Sequence, residues 1–236
     1  MARSLPSDVD VWRTHKGLHC HMNGDAGGVF LSAHHVVAVL VDEINPTEAR
    51  FSLAKHWVRA VVQTAQGLGA QLDPDSLVQG LKEEQGRLRS TGFLHQRAVY
   101  AVLVLEREGR RGWALHCGDC RVGSLRPGQK ELWHTNVHTM ANVLGEMFTE
   151  EHALRQERHV VTRCLNARRF VLPELTFLPE GCDRWVLATD GYWIDHLIRQ
   201  IPIEELPDDA SLLSLDLSAT EWDTVRGAHN FLVRRV

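Results

Sequence analysis

The stretch RAVYAVLVLEREGRRGWALHCGDCRVGSLRPGQKELWH, residues 97–134, decides the fold. Arg97–Glu106 reads as a strand, apolar and rich in β-branched residues. A turn at 108–112 follows, then strands at Trp113–Cys117 and Arg121–Leu125, a second turn at Arg126–Gly128, and a strand at Glu131–His134. The turns are far too short to hold a crossover helix, so these strands succeed one another as antiparallel hairpins.

Working upstream, Val9–Thr14, Gly28–Ser32 and His35–Val41 are further strand candidates, the last a nearly continuous apolar run suited to a buried strand. From about Glu48, the residues Phe51, Leu53, Ala54, Trp57, Val58, Val61, Val62 and Ala65 share one helical face, and Gly67 and Gly69 close the pattern. A second helix spans Pro74–Leu88, with Asp73 as N-cap and proline in its first turn. Downstream, the pattern predicts a helix over His138–Met147 and a helical turn over Glu150–Arg155. Strands are expected at Val160–Cys164, Val171–Phe177 and Trp185–Ala188, a helix at Gly191–Gln200 and a last strand at Phe231–Val236. Strands come in runs and helices in pairs, without regular βαβ alternation. The expected class is therefore α+β: a two-sheet antiparallel β-sandwich flanked by helix pairs, an α-β-β-α sandwich, in a single domain over 1–236.

Composition narrows function by exclusion. At 236 residues the chain can bury roughly 70% of its unfolded surface, so neither disulfides nor structural metal are needed for a core. With 26 Lys plus Arg against 30 Asp plus Glu, the net charge of −4 offers no basic field for nucleic acid or an anionic membrane. The longest apolar runs, such as Val36–Val41 and Ala101–Leu105, are of strand length, well below the ~20 residues of a membrane span. The N-terminus has no apolar signal core and carries acidic residues, which makes the cytoplasm the expected location. Five irregularly spaced cysteines read as reduced thiols. Nothing in the sequence speaks to oligomeric state.

Acidic residues stand at the ends of apolar strands. Asp42 follows VVAVLV, Asp190 follows WVLAT, Asp119 sits in GDCR between two strands, and Asp223 precedes the last strand. Hard cations such as Mg²⁺ and Mn²⁺ take oxygen ligands, so carboxylates converging at one rim suit a binuclear site, although each aspartate taken singly reads as a turn residue capping its strand. Competing chemistries have weaker support. Cys117-Gly-Asp-Cys120 is a CxxC followed by strand and turn rather than a helix, and the pairs His19/His21 and His134/His138 lack the second ligand pair of a zinc knuckle. No GxSxG, P-loop or GxGxxG occurs. The seven tryptophans read as packing residues, with Trp193 as a candidate wall of the cleft.

In order along the chain, six segments resemble the metal-dependent protein phosphatases, the type 2C Ser/Thr (PPM) family. They are NGDAGG (Asn23–Gly28), VVAVLVDEIN, LHCGDCRVGSL (Leu115–Leu125), the run from His138 through GEMFTEEHAL to HVVTRCLNA, CDRWVLATDGYW (Cys182–Trp193) and WDTVRGAHNFLVRRV. The resemblance implies hydrolysis of phosphoserine and phosphothreonine in proteins by a water bridging two Mn²⁺ or Mg²⁺ ions, with no covalent intermediate. By the same carry-over Asp42 bridges the two metals, Asp190 and Asp223 complete the second metal's shell, and Asp25 is a ligand or outer carboxylate. Glu43 lends its backbone carbonyl, and Asp119 with Asp190 holds a weaker third ion.

The departures from the family pattern fall on the phosphate grip. Cys20 stands where the family places an Arg that binds phosphate bidentately, leaving His19, His21 or Arg13 to substitute, with His21 and Arg13 as the named candidates. Glu43 replaces a Gly, Gly24 replaces Glu or Gln, and Thr224 replaces the Asn after the last Asp. The alternative to an active phosphatase is thus a catalytically weak or inactive phosphatase-like domain acting by binding phosphoproteins or other partners.

Overall fold

The computed structural model describes residues 12–46, 51–107, 111–126, 128–217 and 229–236. Its centre is a sheet in which β3 (His35–Glu43) and β4 (Arg97–Glu106) run antiparallel, with β2 (Ala26–Leu31) outside β3 and β5 (Gly112–Cys117) and β9 (Glu174–Leu178) outside β4. The short β8 (Leu165–Asn166) also pairs with β4. Of the hairpins expected in 97–134, β4–β5 forms in this sheet and Arg121–Ser124 with Leu132–Trp133 forms in the second, but β5 does not pair with Arg121–Ser124, because the 118–120 turn carries the chain from one sheet to the other. One strand departs from the antiparallel rule: β12 (Phe231–Arg235) joins β2 in parallel.

A second sheet has the order β1 (Trp12–His15), β11 (Ala210–Asp216), β10 (Arg184–Ala188), β6 (Arg121–Ser124) and β7 (Leu132–Trp133), all antiparallel. Alternation along the strands builds two cores. Val37, Val39 and Val41 face helix α1 (Leu53–Leu68) and, with Leu77 and Leu81 of α2 (Pro74–Arg87), form the outer core. Val36, Ala38 and Leu40 face the other way, onto Trp185, Leu187, Leu213 and Leu215 of the second sheet. The second sheet's outer face is covered by a π-type helix, Gly191–Ile198, and by short turns between 137 and 159 that include α3 (Glu150–Ala153). The four-layer α+β sandwich is thus present, with a long helix pair on one side and short helices on the other.

Local chemistry explains the ends of the long helices. Ser52 caps α1 and Gly69, with φ of +56°, closes it, whereas Gly67 passes inside the last turn. Asp73 caps α2 by accepting from Ser76 N and Ser76 Oγ.

Two expected elements are absent and one strand is unexpected. His138–Met147 is only a single 3₁₀ turn, Met140–Asn142, because the Asn142 side chain takes Thr139 N and Oγ1 and donates to the carbonyls of Val137 and Glu146. Val160–Cys164 is no strand: Val160 and Val161 are tied to the 138–140 segment, with one bridge between Thr139 and Val161 and no sheet face to bury Val160. Conversely, β11 lies where no strand was expected, since Ser211 and Ser214 interrupt its apolar pattern although both are buried. Among the described residues, no helix is long and apolar enough to cross a membrane.

Candidate metal centre

One edge of the sandwich collects the ends of five segments. Asp25 precedes β2, Asp42 is the penultimate residue of β3, Asp119 sits in the β5–β6 turn, Asp190 follows β10, and Asp208 and Asp209 precede β11. Alternation aims each group. Asp42 shares the inner face with Leu40, while Glu43 turns toward α1, where its carboxylate accepts from Ser52 Oγ at 3.0 Å and Ala54 N at 3.4 Å. Glu43 therefore serves the helix N-terminus with its side chain, and its carbonyl lies beside Gly24.

Two glycines are required at this edge. Gly118 has φ of +106°, and a Cβ there would stand 2.1 Å from Val99 Cγ1. At Gly191 a Cβ would stand 2.1 Å from the carbonyl oxygen of Asp209, which locks the Asp190 and Asp209 segments together. The Asp119 turn is held from two further sides. Trp193 donates Nε1 to the Asp119 carbonyl at 3.0 Å, and Gly118 N donates to His138 Nδ1 at 3.1 Å. With Nδ1 accepting, the His138 proton is on Nε2, which donates to Glu174 at 3.0 Å. Trp193 is fully buried beneath the turn and does not line a cleft.

The electrostatics are those of crowded anions. Burial, reinforced by neighbouring carboxylates, pushes Asp25, Asp42 and Asp190 well above the ordinary carboxylate range and Asp119 up to about 6. Asp42 is acted on by Asp25, Asp190, Asp119 and Asp208. Asp25 Oδ1 is buried without a hydrogen-bond partner. This all-oxygen set, with an unpaired buried carboxylate oxygen, fits a hard divalent cation, which would relieve the repulsion.

Of the residues the sequence singled out, Asp25, Asp42, Asp119 and Asp190 come together. Asp223 lies outside the described residues. Arg13 lies opposite Leu212 on the outer face of the second sheet, where its charge acts on Tyr192. His21 is exposed in the 17–25 loop. Cys20 Sγ donates to Asp208 Oδ1 at 3.3 Å, and burial with the nearby Asp209 and Asp208 pushes its thiol up to about 12.

Asp208, Asp209 and Arg158 are the residues that sequence reasoning missed. Asp208 acts on Asp25, Asp42, Asp119 and Asp190, and β11, the strand it precedes, lies beside β10. The Asp-Asp pair before an apolar segment was the available signal, the same one that drew attention to Asp42 and Asp190. The two sets of three ligand atoms within 4.8 Å of one another among the described residues are others: Cys20, Asp208 and Asp209, and His116, His138 and Glu174. In the first set both Asp209 oxygens already hold backbone amides, and in the second the His138 proton is committed to Glu174.

No family model and no curated protein sequence matches the chain. Solved structures do. The PPM Ser-Thr phosphatase MsPP from Mycobacterium smegmatis, in complex with cacodylate, superposes with a TM-score of 0.66 at 17% identity, over 88% of this chain and 97% of that one. The chain has the PPM phosphatase fold. Serine/threonine phosphatase Stp1 from Staphylococcus aureus shares it at a TM-score of 0.65 and 17% identity, over 88% of this chain and 94% of that one. A third PPM-fold structure is the PstP catalytic domain in complex with 2 manganese ions, at a TM-score of 0.59 and 19% identity, over 87% of this chain and 96% of that one.

Proposed function

We propose that this chain is a metal-dependent phosphoprotein phosphatase acting on phosphoserine and phosphothreonine. The observation that carries the reading is the convergence of Asp25, Asp42, Asp119, Asp190 and Asp208 on one edge of a PPM fold, where Asp25, Asp119, Asp190 and Asp208 all raise the proton affinity of Asp42. Asp42, Asp190 and Asp208 would hold two Mn²⁺ or Mg²⁺ ions, with Asp208 in the role that the family resemblance implies for Asp223, and Asp25 behind them. Bound there, the ions supply a water that deprotonates near neutral pH and neutralise charge on the phosphoryl group. The chain's own residues hold the ligands still: Thr189 Oγ1 donates to Asp25 at 3.4 Å and accepts from Ser211 N, joining β10, β11 and the Asp25 segment.

A second reading, a phosphatase-like domain that binds without turnover, draws on Cys20. Its thiol carries no charge and is paired with Asp208, so an acid rather than a base borders the position of the family's phosphate-gripping Arg. An aryl phosphate and a phosphothreonine peptide, each with and without Mn²⁺, separate the two. The enzyme reading expects Mn²⁺-dependent release of phosphate that Asp42→Ala abolishes while the fold persists by circular dichroism. Metal-independent turnover, or none at all, rules it out.

A further inference from the structure

Arg158 brings a guanidinium to the acidic edge. It sits in the turn Gln156–His159 and is almost completely buried. Its Nη2 donates to Asp195 Oδ1 at 2.8 Å, and Asp195, also buried, accepts from Arg199 at 2.8 Å as well. Its Nη1 lies 3.6 Å from Asp190 Oδ2 and has no hydrogen-bond partner. One end of the planar fork is thus anchored on a carboxylate outside the acidic ring, and the other end is free and directed toward the ring. The same charge acts on both Asp119 and Asp190.

From this geometry we infer that Arg158 is the resident cation of the Asp119–Asp190 pair and excludes a third metal ion from it. The inference rests on reading the acidic edge as a divalent-cation site. The Asp190 oxygen that faces Arg158 is Oδ2; a third ion taking that oxygen at roughly 2 Å would stand within about 6 Å of Nη1, whereas Oδ1 is left for the two ions shared with Asp42 and Asp208. Two cations at that spacing repel, with little water between to screen them. A guanidinium is always charged and cannot be washed out, so the pair stays compensated at any metal concentration. Arg158 is accordingly a positioning residue: it acts on the phosphoryl chemistry only through the carboxylates it faces.

Counting bound Mn²⁺ on the full chain, by calorimetric titration with electron paramagnetic resonance of the free ion, tests this. Arg158→Gln should bind one more Mn²⁺ per chain than the parent, the added ion should disappear when Asp119→Asn is combined with it, and Arg158→Lys should keep the parent's count. An unchanged count in Arg158→Gln overturns the inference. So does a weak extra ion in the parent that Asp119→Asn removes, a measurement that needs no Arg158 variant to fold. The parent's absolute count addresses the acidic-edge reading separately: a parent that binds no ion ends that reading, while the difference between variant and parent still decides the role of Arg158.

Discussion

His116 is fully buried on the inner face of β5, with neither ring nitrogen hydrogen-bonded, stacked on His138 at 4.7 Å between centroids and opposite Glu174 on β9. Burial first, then the neighbouring His138, lowers its pKa to about 3. The folded state therefore binds this proton less readily than the unfolded chain, whose histidines titrate near 6.5, and stability is lost as pH falls through that window. Between pH 7.5 and 5 the loss from this one residue is about 2 kcal/mol. Replacing it by a leucine of similar volume removes the penalty. In urea melts, His116→Leu should gain about 2 kcal/mol on the parent on going from pH 7.5 to 5; parallel pH slopes would mean that His116 is charged inside the fold.

At the scale of elements, the N-terminal loop is tied down by one residue from the other end of the chain. Asp209 accepts from Gly17 N at 2.8 Å and Gly24 N at 2.7 Å, one bond per carboxylate oxygen, and the backbone adds Leu18 N to Leu206 O and His19 N to Pro207 O. Hydrogen bonds to a charged acceptor contribute about 1.5–3 kcal/mol each. Asp209→Ala should cost roughly 3 kcal/mol in global stability. It should also raise amide exchange at Gly17 and Gly24 well before the core strands open, a pattern that a uniform destabilisation would not produce. Because Gly24 adjoins Asp25, the same variant should weaken Mn²⁺ binding. The strand that follows, β11, had only a weak pattern in the sequence. Ser211 is hidden by hydrogen bonds from its hydroxyl to Thr14 and from its amide to Thr189, so its polarity is satisfied by partners more than 20 residues away.

For the whole molecule, the acidic edge couples metal, protons and folding. Asp25, Asp42 and Asp190 have pKa values raised well above the unfolded carboxylate value, and that of Asp119 is about 6. A raised folded pKa adds stability below the unfolded pKa and loses it as pH rises through the folded one, so in the absence of metal these four groups favour folding at acid pH. A cation must displace their protons, so its stabilisation runs the other way. The rise in melting temperature caused by millimolar Mn²⁺ should be small at pH 5 and several-fold larger at pH 7.5, and Asp190→Asn should blunt it at both. A shift independent of pH would mean that the cation binds elsewhere.

How much of this was legible in the sequence varied from one part of the chain to another. The caps Ser52 and Asp73, the period of α1, the β4–β5 and β6–β7 hairpins and the aspartates at the ends of β3 and β10 are local signals, set by backbone sterics and by the alternation of burial, and they survive in one dimension. The parallel seat of β12, the burial of Ser211 and Ser214, and the approach of Asp208 and Arg158 to Asp190 depend on contacts between segments far apart in the chain. A buried serine or arginine is tolerable only when its partners arrive from elsewhere, and only the packed sheets decide which partners those are. Strand ends and their carboxylates were therefore set by sequence, while the cation that faces them was chosen by the tertiary structure.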